Sequence, residues 1–288
     1  MASKINRMSL FVKKWMLPIG IFDIIKYHLR ALESRVKYSK NLIKNNGLKN
    51  EHYGKRCFIV GNSPSIANIE VEKLRGEYVF SISNGYHHPK YSYFKPSYHI
   101  VPGLTYTSIK GGMNTKTAVS WFKEMDEKLG PAKLILSVEQ ALLVEKNKLF
   151  NKREVYYMDA SGRDYVNVDL SKPIGEIQSA PQIAIQVAIY MGFREIYLLG
   201  VDHNSLCTNK YDYFFDAKKL MKVKHEGVDE DRNIVDTFYK RLLVHERLFR
   251  IYESLAESAI VNKVRVINLS RESTVDCFEK DNFNNILK

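Results

Sequence analysis

The chain has 288 residues, of which 45% are hydrophobic and 26% are charged, a composition typical of a globular protein with one domain or two small domains. No segment repeats at the periods of solenoids or propellers, and the three cysteines lack CxxC spacing, so neither a repeat architecture, a disulfide framework nor a zinc site is indicated. The net charge of +12 favours anionic partners, among them nucleic acid, acidic lipid and phosphate-bearing substrates.

The N-terminal arm carries most of the excess charge. Residues 4–44 contain ten basic side chains and two acidic ones, interleaved with bulky apolar residues. The longest nearly uncharged stretch, 15–22, is far shorter than the roughly 20 residues that span a bilayer, and Pro18 and Gly20 would break or kink a helix there. We predict that residues 1–50 form a basic, amphipathic helical arm that lies on a membrane surface. The alternative is a helix packed on the protein's own core or on a partner subunit.

The body of the protein, residues 51–288, alternates between predicted strands and helices. Strands are predicted at 56–61, 78–83, 97–101, 133–137, 154–158, 194–200 and 264–268. Helices are predicted at 117–129, 181–191 and 233–261, and Gly192 is typical of the residue that ends a helix. This alternation predicts an α/β fold with a mostly parallel, Rossmann-like sheet that has helices on both faces.

A glycine-containing turn, Gly61–Ser65 (GNSPS), follows the first predicted strand of the body. Ligands of open α/β sheets collect at the carboxyl ends of the strands, where such a turn lets backbone amides approach phosphate or ribose oxygens. The turn matches neither GxGxxG nor a Walker loop, because it has one glycine and Lys73 is too distant to hold a phosphate. It is therefore interpreted as half of a nucleotide site, with an ordinary tight turn as the alternative.

Two further polar residues follow predicted strands. Asn84 comes after the second strand, and its amide offers both a donor and an acceptor for a base, a ribose or a sugar hydroxyl. Because Asn84-Gly85 is also a strong turn signal, a purely structural role is the alternative. Asp202 follows the strand that ends near Gly200, where it could orient a ribose or a catalytic group, coordinate a metal, or cap the next segment.

An aromatic cluster and a histidine complete the candidate residues. The cluster Tyr211–Asp216 contains tyrosines whose hydroxyls can hydrogen-bond a phosphate, although aromatic residues at this spacing also serve in core or lid packing. His245 lies on the long predicted helix, and histidine is the usual side chain for removing a proton from an acceptor hydroxyl. A surface position is the alternative for His245. His87 and His88 follow Asn84 closely enough to reach the same cleft.

In their order along the chain, these segments resemble the bacterial sialyltransferases of glycosyltransferase family 42 and the related motility accessory factor group. The matching segments lie between about residues 55 and 275, and they are residues 59–65, 80–84, 188–202 and 213–216. The resemblance implies a GT-A-like variant of the Rossmann-like fold. With such an activity, the basic arm leads us to expect a peripheral enzyme on the inner face of the bacterial cell membrane, and the absence of a recognisable signal peptide leads us to expect the same cytoplasmic setting.

The resemblance implies a set of site residues and a reaction. The donor-binding residues would be Gly61, Asn62, Ser63, Ser65, Asn84, Asp202 and Tyr213, with Tyr213 on the donor phosphate. His245 would be the general base of an inverting transfer. The reaction would move a sialic-acid-like nonulosonate from a nucleotide-sugar donor, CMP-linked, to a cell-surface glycan or glycolipid acceptor. No metal and no other cofactor are expected.

The chain departs from the family pattern at two places, and this leaves other functions open. Asn204 stands where the family has a tyrosine, and Ile177 stands where it has an arginine, so an altered donor is expected. The same GNxPS signature occurs in pterin pyrophosphokinases, which makes such an enzyme or another nucleotide-dependent transferase the second hypothesis. A non-catalytic glycan- or nucleotide-binding protein is the third.

Nucleic acid is not expected as a partner, because the basic residues concentrate in an arm rich in tryptophan and isoleucine. A homo-oligomer is allowed, and residues 205–235 are a candidate lid.

Overall fold

The computed structural model describes residues 36–103, 115–160, 167–175, 177–216, 227–229 and 231–287, together with Leu29 and Leu32. The strands in these residues are β1 (Arg56–Val60), β2 (Tyr78–Ile82), β3 (Tyr98–Val101), β4 (Lys133–Ser137), β5 (Val155–Met158), β6 (Glu195–Leu199), β7 (Arg265–Asn268) and β8 (Glu279–Lys280). They form one sheet in the order β5-β4-β3-β2-β1-β6-β7-β8, and every pairing is parallel. The seven predicted strands are confirmed, and β8 was not predicted.

Helices cover both faces of this sheet. The α-helices of the body, within the described residues, are α1 (Tyr91–Phe94), α2 (Thr115–Lys128), α3 (Ala141–Lys146), α4 (Ala180–Tyr190), α5 (Ser205–Thr208), α6 (Phe238–Val261) and α7 (Phe283–Ile286). Cys57 and Ile59 of β1 belong to the apolar cluster that contains α4 and α6, whereas Phe58 and Val60 belong to the cluster that contains α2. Because side chains alternate along a strand, the two clusters lie on opposite faces, and the predicted Rossmann-like α/β fold is confirmed.

Helix α4 is the central helix of one face. All eleven of its residues are buried, and a capping box between Ser179 and Gln182 satisfies the amides at its start. Gly192 follows the helix with a φ of +84°, a left-handed conformation that glycine adopts without strain. The prediction of a helix that ends near Gly192 is confirmed.

Helix α6 begins later than the sequence pattern predicts. The predicted start was residue 233, but Asn233 and Ile234 pair with Lys210 and Val228 in isolated antiparallel bridges. The helix begins after Thr237, whose side chain accepts a hydrogen bond from the amide of the third helical residue. The prediction of a long helix is confirmed, with its first turn displaced by these pairings.

The end of the predicted membrane arm packs against the body. The chain is helical from residue 36 to residue 48. Asn45 is fully buried, and its Nδ2 donates hydrogen bonds to the carbonyl oxygens of Tyr157 (2.6 Å) and Leu170 (2.8 Å). Residues 1–28, which hold most of the arm, lie outside the described residues. No helix in the described part of the chain is long and apolar enough to cross a bilayer.

The strand order reverses beside β1. From β1 the chain builds β2 to β5 on one side of the sheet, and it then returns to build β6 to β8 on the other side. In open α/β sheets, ligands bind outside the carboxyl ends of the strands at such a topological switch point. The loops after β1 and β6 are therefore the expected position of a binding site.

Candidate active site

A cavity of about 340 Å³ opens at this switch point. Its walls are formed by the loops that follow β1, β2, β3 and β6, by Trp121 of α2, by the first turn of α4 and by residues from 203 to 215. Of the predicted donor-binding residues, Asn62, Ser63, Asn84 and Tyr213 line it. Gly61, Ser65, Asp202 and His245 do not line it, and Asp202 and His245 are buried next to its walls.

The loops after β1 and β6 touch at two glycines. A Cβ atom added to Gly61 would collide with the carbonyl group of Gly200, and Gly200 has a φ of +63°. The amides of Gly61 and Ser63 donate hydrogen bonds to the carbonyl oxygens of Leu199 (2.7 Å) and Gly200 (3.0 Å). Gly61 therefore serves the close approach of the two strands, and both amides are bound within the protein instead of facing a phosphate.

Asp202 joins the same two loops through its carboxylate. The hydroxyl of Ser65 donates to Oδ1 of Asp202 (2.5 Å), the amide of Ser65 donates to Oδ2 (3.3 Å), and the amide of Asp202 donates to the hydroxyl of Ser63 (3.2 Å). Asp202 is 3% exposed, and this burial raises the pKa of its carboxyl group against the opposing effect of the bonds from Ser65. Ser65 and Asp202 thus fix the shape of the loops that carry the cavity wall.

Two asparagine amides present polar atoms at the cavity. Asn62 donates from Nδ2 to the carbonyl oxygen of Ile82 (3.2 Å), and its buried Oδ1 has no hydrogen-bond partner within the part of the chain that the structure describes. Asn84 accepts at Oδ1 a hydrogen bond from Nε1 of Trp121 (2.9 Å). The acceptor of Asn62 is therefore buried beside Gly85, whereas Asn84 keeps the donors of its amide for a base, a ribose or a sugar hydroxyl.

His245 lies behind the wall, in contact with a residue of the cavity. It is 8% exposed, its Nδ1 lies 2.8 Å from the carbonyl oxygen of Arg241, and its Nε2 lies 3.1 Å from the hydroxyl of Ser205. Since a carbonyl oxygen only accepts, Nδ1 of the neutral ring carries the proton and Nε2 is the free acceptor. The alternative of a surface histidine is therefore wrong.

A second histidine lines the cavity directly. His203 adopts a φ of +50°, and its Nε2 lies 2.8 Å from the hydroxyl of Tyr252. Burial lowers the pKa of His203 to about 4, and the nearby His245 adds to this effect. His203 is therefore neutral near pH 7 and acts as a hydrogen-bonding group.

An aromatic wall closes one side of the cavity. The ring of Tyr213 stacks on that of Phe215 at 5.0 Å between centroids, and the guanidinium of Arg232 lies 5.1 Å from the Tyr213 centroid. Burial raises the pKa of Tyr213. Lys210 also lines the cavity and brings a positive charge to this wall. Part of the candidate lid, residues 205–216, thus belongs to the wall, while 217–226 and 230 lie outside the described residues.

Several cavity residues were not predicted from the sequence. Ser205, Lys210, Trp121 and Gln178 line the cavity, as does Ile177, which stands where the resemblance expects an arginine. No sequence motif marks them, since Ile177, Gln178 and Lys210 lie outside the helices and strands, Trp121 is a buried residue of α2, and Ser205 begins the short helix α5.

Two other histidines, His87 and His88, lie near the aromatic wall but outside the cavity. Their rings lie 5.8 Å from Phe215 and 5.1 Å from Phe214. They pack behind the aromatic wall instead of facing a ligand.

Within the described ranges there is no group of three or more His, Cys, Asp or Glu side chains that could hold a metal ion.

Comparison with known proteins gives structural matches only. No family model matches the chain, and no curated protein matches it in sequence. The sialyltransferase CstII from Campylobacter jejuni, in complex with cytidine-5'-monophosphate, matches with 16% identity and a TM-score of 0.45, covering 79% of this chain and 85% of that chain. An alpha-2,3-sialyltransferase from the same organism matches with 16% identity and a TM-score of 0.42, covering 80% and 82%.

The MAf glycosyltransferase from Magnetospirillum magneticum AMB-1 matches with 16% identity and a TM-score of 0.45, covering 81% of this chain and 34% of that chain. Both groups named by the sequence resemblance, the sialyltransferases and the motility accessory factors, are therefore among the solved structures to which this chain is similar.

Proposed function

We propose that the protein is a glycosyltransferase that moves a sugar from a nucleotide-sugar donor to a glycan acceptor. The observation that supports it is the cavity at the switch point, which has two asparagine amides on the side of β1 and β2 and a serine–histidine pair on the side of α5 and α6. In this arrangement a nucleotide would bind at the amides, and an acceptor hydroxyl would approach the serine–histidine pair. The favoured donor is a CMP-linked, sialic-acid-like nonulosonate, which follows from the sequence resemblance.

The donor would bind between the two asparagines and the aromatic wall. Nδ2 of Asn84 would read the nucleoside, because Oδ1 of the same amide is held by Trp121 and leaves the amide donors for a ligand, and Asn62 lines the same part of the cavity. The donor phosphate would lie against Lys210 and Tyr213, which bring an ammonium and a phenol hydroxyl to one wall. Gly61, Ser63, Ser65 and Asp202 would support this site by fixing the two loops.

The chemistry would be a single displacement with inversion at the anomeric carbon. His245 would be the general base that receives the proton of the acceptor hydroxyl. The nucleotide would leave as a phosphate anion, stabilised by Lys210 and Tyr213. The proposal includes no metal and no other cofactor.

The N-terminal arm would hold the enzyme on the inner face of the cell membrane. Leu29, Leu32 and Val36 are 61%, 58% and 86% exposed, and their spacing of three and four residues places them on one side of a helix. An exposed apolar stripe in a strongly basic segment suits the surface of an anionic membrane. Lipid-linked glycan acceptors lie at that surface, so the arm would bring the cavity to its acceptor.

The first test is the thermal stability of the protein with cytidine, uridine, guanosine and adenosine nucleotides, with and without magnesium. A ligand that binds the native state raises the melting temperature by mass action. Stabilisation by CMP without magnesium is expected, and stabilisation by UDP or GDP would change the sugar donor but keep the reaction. Stabilisation by ATP with magnesium alone would replace the proposal by a pyrophosphokinase, and no stabilisation by any nucleotide would contradict a nucleotide-sugar site.

A further inference from the structure

We propose that the hydroxyl of Ser205 takes the proton from the acceptor and passes it to His245. Ser205 would then be the catalytic residue that touches the acceptor, and His245 would be the final proton acceptor behind it. The inference rests on the proposed transfer reaction, since the relay needs an acceptor hydroxyl in the cavity. It assigns a role to a residue that the sequence resemblance leaves without one.

The positions of the two side chains support this order. Ser205 lines the cavity, whereas His245 does not and is only 8% exposed. The Ser205 hydroxyl lies 3.1 Å from Nε2 of His245, and the carbonyl oxygen of Arg241 holds the opposite ring nitrogen at 2.8 Å. Nε2 therefore has a lone pair directed at the serine. A hydroxyl that enters the cavity meets Ser205 first.

One residue fixes the serine and the histidine relative to each other. The guanidinium of Arg241 donates from Nη2 to the carbonyl oxygens of Leu206 (2.8 Å) and Ser205 (3.3 Å), and from Nη1 to Oδ1 of Asn209 (2.7 Å). Its own carbonyl oxygen accepts from His245. Arg241 is a positioning residue, because it holds helix α5 on helix α6 with the hydroxyl facing the ring.

The other histidine of the cavity is a poorer proton acceptor. Nε2 of His203 is already paired with the hydroxyl of Tyr252 at 2.8 Å. Burial lowers the pKa of His203 to about 4, so its ring binds a proton weakly at neutral pH. The proton is therefore expected to reach His245.

The proposed step is balanced in atoms and electrons. The acceptor oxygen forms a bond to the anomeric carbon while its proton moves to the oxygen of Ser205, and the serine's own proton moves to Nε2 of His245. The bond between the anomeric carbon and the phosphate oxygen breaks, and the nucleotide leaves with that electron pair. The products are the glycoside, the nucleotide and an imidazolium, which releases its proton to solvent.

The test compares sugar transfer by Ser205→Ala, Ser205→Thr and the wild-type enzyme. Ser205→Ala should lower kcat by about 100-fold or more, the usual contribution of general base catalysis, while the Kd for CMP stays within about twofold. Ser205→Thr keeps a hydroxyl and should restore most of the kcat that Ser205→Ala loses. Ser254→Ala is the matched control, because it removes a hydroxyl of α6 whose exposed hydrogen bond goes to the carbonyl oxygen of Arg250. This variant should leave kcat unchanged.

Three results would overturn the relay. They are a Ser205→Ala enzyme with wild-type kcat, a loss of CMP binding in Ser205→Ala as large as its loss of kcat, and a Ser205→Thr enzyme as slow as Ser205→Ala. Absence of transfer by the wild-type enzyme with every nucleotide sugar would defeat the proposed function instead. The ¹⁵N NMR signals of the His245 ring still decide the contact in that case, because an Nε2 signal that Ser205→Ala does not move overturns the relay.

Discussion

Substitution of Trp121 by phenylalanine tests whether the orientation of Asn84 matters for nucleotide binding. The indole Nε1 donates to Oδ1 of Asn84 at 2.9 Å, and the two residues are 8% and 9% exposed. Phenylalanine keeps an aromatic ring on α2 but removes the donor. The amide of Asn84 is then free to rotate, and its Nδ2 no longer has a fixed direction in the cavity.

The size of the effect follows from the burial of the pair. A buried acceptor that loses its partner costs about 1–3 kcal/mol. The smaller ring leaves a cavity of roughly 40 Å³, which adds about 1 kcal/mol to the destabilisation. The free energy of unfolding should therefore fall by about 2–4 kcal/mol. If the fixed amide contributes one hydrogen bond to the nucleotide, CMP affinity should fall by roughly tenfold, the equivalent of about 1.4 kcal/mol.

Urea denaturation measures the first quantity and titration calorimetry with CMP measures the second. Trp15→Phe, at the other tryptophan of the chain, is the control and should leave CMP affinity unchanged. An unfolding free energy within about 0.5 kcal/mol of wild type, the range of neutral surface substitutions, would refute the reasoning about the buried bond. A destabilised variant with wild-type CMP affinity would remove Asn84 from the nucleotide site.

Three further predictions concern single groups and the arm. Burial raises the pKa of Asp202, so ionisation of this carboxyl opposes folding, and the unfolding free energy of the wild type should fall relative to that of Asp202→Asn as the pH rises from about 3 to about 7. Denaturation at each pH measures this difference, and parallel curves for the two proteins would contradict the prediction. The pKa of His203 is lowered from 6.5 to about 4, so the unfolded state binds the proton first, and the wild type should lose up to about 3 kcal/mol of unfolding free energy relative to His203→Gln as the pH falls from about 6.5 to about 4. Equal losses of unfolding free energy in the two proteins would show that this ring is not buried. Deletion of residues 1–35 should abolish sedimentation with anionic vesicles without changing the melting temperature, whereas deletion of residues 1–45 should also lower the melting temperature, because Asn45 is hydrogen-bonded to the body. Vesicle binding that survives the shorter deletion would refute the membrane arm.

The sheet could be predicted because its strands are buried on both faces. Such strands are continuous apolar runs, and four of the five residues of β1 and of β6 are buried. The same reasoning fails for β8, Glu279–Lys280, which has two exposed charged residues and no apolar run. It also fails at the start of α6, where residues 233 and 234 form isolated bridges with Lys210 and Val228 although their helical pattern is continuous.

The site could be predicted only in part, because strand ends locate residues but do not orient side chains. Asn62 and Asn84 line the cavity, as their positions after β1 and β2 imply. Asp202 follows β6 in the same way, yet its carboxylate faces Ser65, since the close approach of the two loops brings these residues together. The pairing of Ser205 with His245 joins residues 40 positions apart, and nothing in the local sequence indicates it.

The most direct test of the proposed function is an assay of sugar transfer from CMP-linked nonulosonates to glycan acceptors, with the product's anomeric configuration read by NMR. The wild-type enzyme is expected to form a glycoside of inverted configuration. His245→Gln should bind CMP like the wild type but transfer sugar at least about 100-fold more slowly. Equal rates for His245→Gln and the wild type, or a product of retained configuration, would contradict the assignment of His245 as the general base of an inverting glycosyltransferase.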